Sequence, residues 1–129
     1  MNRVVITGLG IVSSIGNNSK EVLASLQAGK SGITSNADMI EYGFRSQVAG
    51  DIKLDVKDFV DKRTLRFMGP GAAYAHIAME QAIKDAGLEE NEISNFRTGL
   101  IAGSGGPSTS AMLAAHRIVL KSGAPKRIG

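Results

Sequence analysis

Two apolar runs break into glycines. Val4-Val5-Ile6-Thr7 leads into Gly8-Leu9-Gly10, and Leu100-Ile101-Ala102 leads into Gly103-Ser104-Gly105-Gly106. Neither run alternates apolar with polar residues, so neither suits a strand with one wet face. Continuous apolar side chains suit a strand covered on both faces, which needs helices above and below it and strands at both edges. The predicted class is therefore α/β, with strands at Arg3–Thr7 and within Thr98–Gly106. A further short strand is predicted around Ser46–Ala49, inside an otherwise irregular surface excursion.

The helices follow from their caps. Asn18 with Glu21 resembles a capping box, in which an amide and a carboxylate satisfy free N–H groups. Val22, Leu23 and Leu26 follow on one apolar face, and Gly29 can stop that helix. A short helical stretch is predicted at Asp58–Met68, broken by Gly69-Pro70. The clearest helix is Gly71–Ala86, with Ala72, Ala75, Ala78, Met79, Ala82 and Ile83 forming a close-packing face, and Gly87 ends it. Residues 88–95 read as a polar connector. A last helix spans Ser108–Lys121, opened by Pro107 and Ser108 and closed by Gly123. Two or three strands make a poor sheet of this kind, and the final residues form a loop with no closing element. The expectation is one segment over residues 1–129, without an internal boundary, that belongs to a longer polypeptide.

Composition excludes several chemistries. The 129 residues contain no cysteine, which removes disulfides, thiolate nucleophiles and zinc–thiolate sites. The two histidines, His76 and His116, stand singly and form no metal-binding pattern. His76, on an alanine-rich helix, reads as a satisfied buried or half-buried side chain and not as a base. No apolar run reaches the roughly 18 residues of a membrane span. The N-terminus lacks the longer apolar region of a signal peptide, so a cytoplasmic location without membrane attachment is expected. Gly8, Gly10 and Gly16 invite comparison with the dinucleotide fingerprint, but Ser13 stands at the third glycine position and loop residues follow instead of a helix. A tight structural turn is the reading preferred there. Ser104 does not complete a nucleophile elbow, because Ala102 occupies the required glycine position.

Positive charge gathers in two places. Lys62, Arg63 and Arg66 lie three and four apart, a spacing that shares a helix face, with Leu65 and Met68 able to anchor the other side. Lys121, Lys126 and Arg127 form a second group. Such clusters capture acidic partners quickly and in a salt-sensitive way; a plain solvated face is the other reading. Nucleic acid is a weaker partner, since no aromatic residues are interleaved for stacking.

Six stretches in order, "VVITGLGIVSSIGNN", "EVLASL", "SGIT", "RFM", "MEQAIKDAGL" and "GLIAGSGG", resemble the N-terminal part of the bacterial type I β-ketoacyl-[acyl-carrier-protein] synthases. The resemblance covers essentially the whole chain and about the first third of the family's length. It implies a thiolase-like layered α-β-α fold whose sheet is incomplete within this chain, and a decarboxylative Claisen condensation in fatty-acid synthesis without metal or redox cofactor. It implies a homodimer that docks acyl carrier protein. The family's nucleophilic cysteine and both catalytic histidines fall in its later portion, so no catalytic residue is assigned here, and neither His76 nor His116 inherits that role. The resemblance places carrier docking on Lys62, Arg63, Arg66 and Lys126, with Lys121 and Arg127 less well matched. It places the acyl channel at Gly105 and Gly106, although Pro107 and a segment one residue short depart from the family pattern. A non-catalytic module presenting a basic face to an acidic protein is the alternative.

Overall fold

In the computed structural model, which describes residues 3–128, Gly8 and Gly10 owe their identity to close contact with a helix and not to a turn. A Cβ on Gly8 would collide with the Ala82 carbonyl, and one on Gly10 with the Ala78 carbonyl. Both partners lie on α4 (Pro70–Ala86). The intervening backbone is held by the same helix. Leu9 N–H donates to the Asp85 carboxylate at 3.0 Å, and Ile11 N–H to Gln81 Oε1 at 3.1 Å. Neither glycine has a positive φ. The tight turn of this region comes later, where Ser13 and Gly16 exchange backbone hydrogen bonds of 2.9 and 3.3 Å.

This segment is part of one compact unit, which runs to Asp55 and includes Ile77–Leu88. Within it α1 (Ser19–Gln27) starts at the predicted cap: Asn18 Oδ1 accepts from Glu21 N–H at 2.9 Å. The Glu21 carboxylate reaches back to Asn17 N–H and to the Asn18 amide, each at 2.8 Å. Gly29 follows with φ +62°. The buried face differs from the expectation. Val22 is buried, but Leu23 and Leu26 are exposed, and Ser25 is buried in their stead, its hydroxyl donating to the Ile15 carbonyl at 2.6 Å. Burial follows what packs against a helix, and here the Ile15 backbone offers an acceptor. Beyond α1, β1 (Ile33–Ser35) pairs antiparallel with β2 (Val48–Gly50) in the register Thr34 to Ala49. The strand predicted around Ser46–Ala49 thus starts two residues later and ends one residue later. Between the two strands stands the short α2 (Ala37–Glu41), capped by Asn36.

The other unit comprises Val56–His76 and the residues from Glu89 onward. It holds α3 (Lys62–Leu65), the first turns of α4, α5 (Glu90–Ile93) and α6 (Thr109–Ser122). The polar connector is partly helical, because Glu89 and Glu92 close a capping box around α5. Ser108 caps α6, and Gly123 ends it with φ +63°. Ala73 and Val60 are buried here, and Ile77 on the neighbouring turn of α4 is buried in the first unit. The buried stripe of α4 is therefore Ala73 and Ile77, while the predicted Ala72, Ala75 and Met79 are exposed.

Two predicted strands are not formed. Residues 3–7 and 98–102 make no ladder among the described residues, and their side chains are exposed: Val4 by 92%, Ile6 by 90% and Ile101 by 98%. Strand character comes from paired neighbours, which these runs lack. The fold is mixed α/β with an incomplete sheet, as expected. Among the described residues no helix is long and apolar enough to cross a membrane.

Candidate functional site

The basic cluster sits on α3, which has only four residues. A helix this short has no intrinsic stability, so its ends decide whether it exists. Asp61 supplies the N-terminal end. One carboxylate oxygen accepts from Arg63 N–H at 2.8 Å and Thr64 N–H at 3.2 Å. The other accepts from the Thr64 hydroxyl. These bonds, the Thr64 hydroxyl foremost and then the Thr64 and Arg63 amides, hold the Asp61 carboxyl below its ordinary range; nearby His76 acts in the same direction. Leu65 N–H bonds the Asp61 carbonyl at 3.0 Å, and Phe67 and Met68 continue the turn onto Thr64 and Leu65. Val60, just before the cap, is buried, while Thr64, Leu65 and Met68 are half-buried.

Lys62, Arg63 and Arg66 are all exposed, whereas Leu65 and Met68 are half-buried. The Arg66 guanidinium lies 5.8 Å from the centroid of the Phe67 ring, itself 75% exposed. A cation over an aromatic face gains a modest attraction and loses some of its freedom. The second basic group belongs to other elements. Lys121 is exposed in the last turn of α6, and Lys126 is exposed in a 3-10 turn at Pro125–Arg127. His76 is half-buried, as expected.

The glycine loop borders a cleft. Ala102, Gly103, Ser104, Gly106 and Pro107 face the start of α4 at Gly69–Ala72 and Ala75 across an open space of about 730 Å³. Gly106 lines it, whereas Gly105 is not among its lining residues. Ser104 turns its hydroxyl onto its own loop, donating to the Gly106 carbonyl at 2.7 Å, which agrees with a structural turn and not a nucleophile. Small side chains line both walls without a charged group, and Ser104, Ser108 and Thr109 add hydroxyls to the mostly apolar lining. No group of three or more His, Cys, Asp or Glu residues suited to a metal exists among the described residues.

A second cleft, of about 400 Å³, lies between Ser13–Asn17, α1 and the segment Lys30–Gly32, with Lys53 at its rim. Sequence reasoning missed it, since its walls come from distant stretches. The role of Asp61 was also missed, although an Asp ahead of a short helical run is a recognisable cap signal.

Comparison with known proteins places this geometry. The model of the β-ketoacyl synthase N-terminal domain matches residues 1–126. The chain is 52% identical over 129 residues to the 3-oxoacyl-[acyl-carrier-protein] synthase 1 of Haemophilus influenzae, covering all of this chain and 32% of that protein. It is 57% identical over 109 residues to the Escherichia coli protein of the same name, covering 84% of this chain and 27% of that one. Among solved structures, a β-ketoacyl synthase from Burkholderia phymatum superposes with a TM-score of 0.77 at 31% identity, over 100% of this chain and 32% of that one. The ishigamide ketosynthase/chain length factor gives a TM-score of 0.77 at 27% identity, over 97% and 31%. The chain thus spans about a third of the length of the relatives it matches. Those curated relatives are synthases, which leaves a non-catalytic basic module without support. On its own sequence and on its fold, the chain belongs to the β-ketoacyl synthase family, where it corresponds to the N-terminal domain.

Proposed function

We propose that this chain is the N-terminal segment of a β-ketoacyl-[acyl-carrier-protein] synthase that acts in fatty-acid synthesis as a cytoplasmic homodimer. The observation that carries the proposal is the 52% identity to a 3-oxoacyl-[acyl-carrier-protein] synthase across all 129 residues. In the reaction an acyl chain first moves from its carrier to a cysteine thiolate. Malonyl-carrier protein then loses carbon dioxide, and the resulting carbanion attacks the acyl thioester, which expels the thiolate and leaves the 3-oxoacyl chain on the carrier. Two histidines assist decarboxylation and stabilise the developing oxyanion. So written, the reaction needs neither a metal nor a redox cofactor. Acyl transfer requires an activated nucleophile, and a sequence without cysteine supplies none of the family's kind. The nucleophile and both histidines are therefore assigned to polypeptide outside these residues, and the isolated segment is expected to be inactive.

The segment's own contributions are scaffold, carrier docking and one side of the acyl channel. Lys62, Arg63 and Arg66 meet carboxylates of the carrier protein, and Lys126 extends the contact. Their exposure on a capped turn supports this reading. Gly105 and Gly106 are assigned to the acyl channel, and the uncharged cleft beside Gly106 suits an alkyl chain. The test uses the full-length enzyme. Reversing Arg63 and Arg66 to Glu is expected to raise KM for carrier-bound substrate roughly tenfold, the equivalent of about 1.4 kcal/mol. The penalty should shrink as salt is added. Unchanged KM in the double variant would overturn the assignment.

A further inference from the structure

A carboxylate among cations is a poor choice if charge were all that mattered. Asp61 is exposed and directly precedes Lys62 and Arg63, so its charge weakens the field that would attract an acidic partner. Its bonds explain why it stands there. It satisfies the Arg63 and Thr64 amides and the Thr64 hydroxyl, and its own carbonyl receives Leu65 N–H. Four bonds thus converge on one residue at the start of a four-residue helix. Buried Val60 fixes the chain immediately before it.

We propose that Asp61 is a positioning residue for carrier docking: it folds the α3 turn that presents Arg63 and Arg66 together, at the expense of some positive potential. This rests on the docking role assigned to α3. Without the cap, the turn frays and each arginine must be ordered when the carrier binds, a cost that a preformed surface avoids.

Charge and position predict opposite signs, and this makes the proposal testable in the full-length enzyme. Affinity for acyl carrier protein is measured by titration at two salt concentrations for Asp61→Ala, Asp61→Asn and Asp61→Ser, with the Arg63/Arg66 double reversal as control. All three Asp61 variants remove the same charge, but Asn and Ser still cap helices whereas Ala does not. Positioning predicts that Asp61→Ala weakens binding roughly fivefold, in line with the loss of a cap. Asp61→Asn and Asp61→Ser should match the parent or bind more tightly. The salt dependence of Asp61→Ala should stay at least as steep as the parent's, since no cation is lost, whereas the double reversal flattens it. Equal or tighter binding by Asp61→Ala, indistinguishable from Asp61→Asn, overturns the inference while leaving the docking surface intact. Unchanged binding in the double reversal overturns the docking surface itself, and the inference with it. Should Asp61→Ala fail to fold, Thr64→Val supplies the comparison: it deletes the hydroxyl that holds Asp61 and leaves every charge in place. Weaker binding by Thr64→Val supports positioning, and parent-like binding overturns it.

Discussion

A methyl group added at Gly10 has nowhere to go. Its Cβ would meet the carbonyl of Ala78, with Ala82 N at 2.8 Å, and these are backbone atoms of a helix that cannot swing aside as a side chain can. Gly10→Ala in the full-length protein is therefore expected to destabilise by roughly 1–3 kcal/mol, the range of an overpacked core. A lowered denaturation midpoint checks it, and a parent-like midpoint would show that the α4 contact is dispensable. The same contact explains the polar residues on that stretch of α4. Gln81 and Asp85 take up the N–H groups of Ile11 and Leu9, and Gln81 also donates to the Asn17 carbonyl at 2.7 Å. A segment that is not in a sheet has its backbone donors met by helix side chains instead, a need that is strict for the half-buried Ile11 N–H. From sequence, the glycines were visible but their reason was not. Close approach to a helix some 70 residues further on leaves no local mark, and a turn was the nearer explanation.

At the scale of elements, most helices and the short strand near Val48–Gly50 were legible, while the helix expected over Asp58–Met68 shrinks to α3 and the two long apolar strands are not formed. Helix ends are written locally: Asn18, Ser108, Gly87 and Gly123 all do what their residue types suggest, and Pro70 opens α4 within one residue of the expected start. Helix faces are less local. Leu23 and Leu26 read as core and are exposed, while Ser25 between them is buried against the Ile15 carbonyl. Strands depend wholly on partners, which is why Val4–Ile6 and Leu100–Ile101 carry strand-like composition without a ladder. The candidate site divides in the same way. The cationic cluster was legible as a spacing, while the convergence of bonds on Asp61 needed backbone geometry. Capping also gives α1 a pH dependence. The Glu21 carboxyl lies below its ordinary range because Asn17 N–H, and then the Asn18 amide, donate to its charged form. A carboxyl lowered in the folded state stabilises above its unfolded pKa of about 4.3. That stabilisation is lost as pH falls through the lower, folded value. Acidification below about pH 4 should thus loosen the start of α1. Amide exchange at Asn17 and Val22 is expected to rise there in the parent and to be flatter with pH in Glu21→Gln; equal pH profiles in the two proteins would exclude this origin.

On the scale of the whole molecule, the two apolar runs that read as strands are among its most exposed hydrophobic residues. Val4, Val5 and Ile6 precede the glycines of the first run, and Phe96, Leu100 and Ile101 precede those of the second; Phe96 and Ile101 are each 98% exposed. Water contact at that level gains none of the roughly 25 cal/mol per Å² that burial contributes. Against this stands a buried hydrophobic set of only Val22, Val60, Ala73 and Ile77 among the described residues. A two-stranded antiparallel pair is at best marginal alone in water. The relatives are about three times as long, and on the proposed function the cover for both runs would be neighbouring strands from the rest of a full-length synthase. Expressed without that remainder, residues 1–129 should bind a hydrophobic dye, aggregate with rising concentration and melt without a cooperative transition. They should also take up no acyl group from acyl carrier protein. The full-length protein should melt cooperatively and exclude the dye. A soluble monomeric segment with a sharp transition would mean that Val4–Ile6 and Leu100–Ile101 find their cover within these residues, in an arrangement different from the one described.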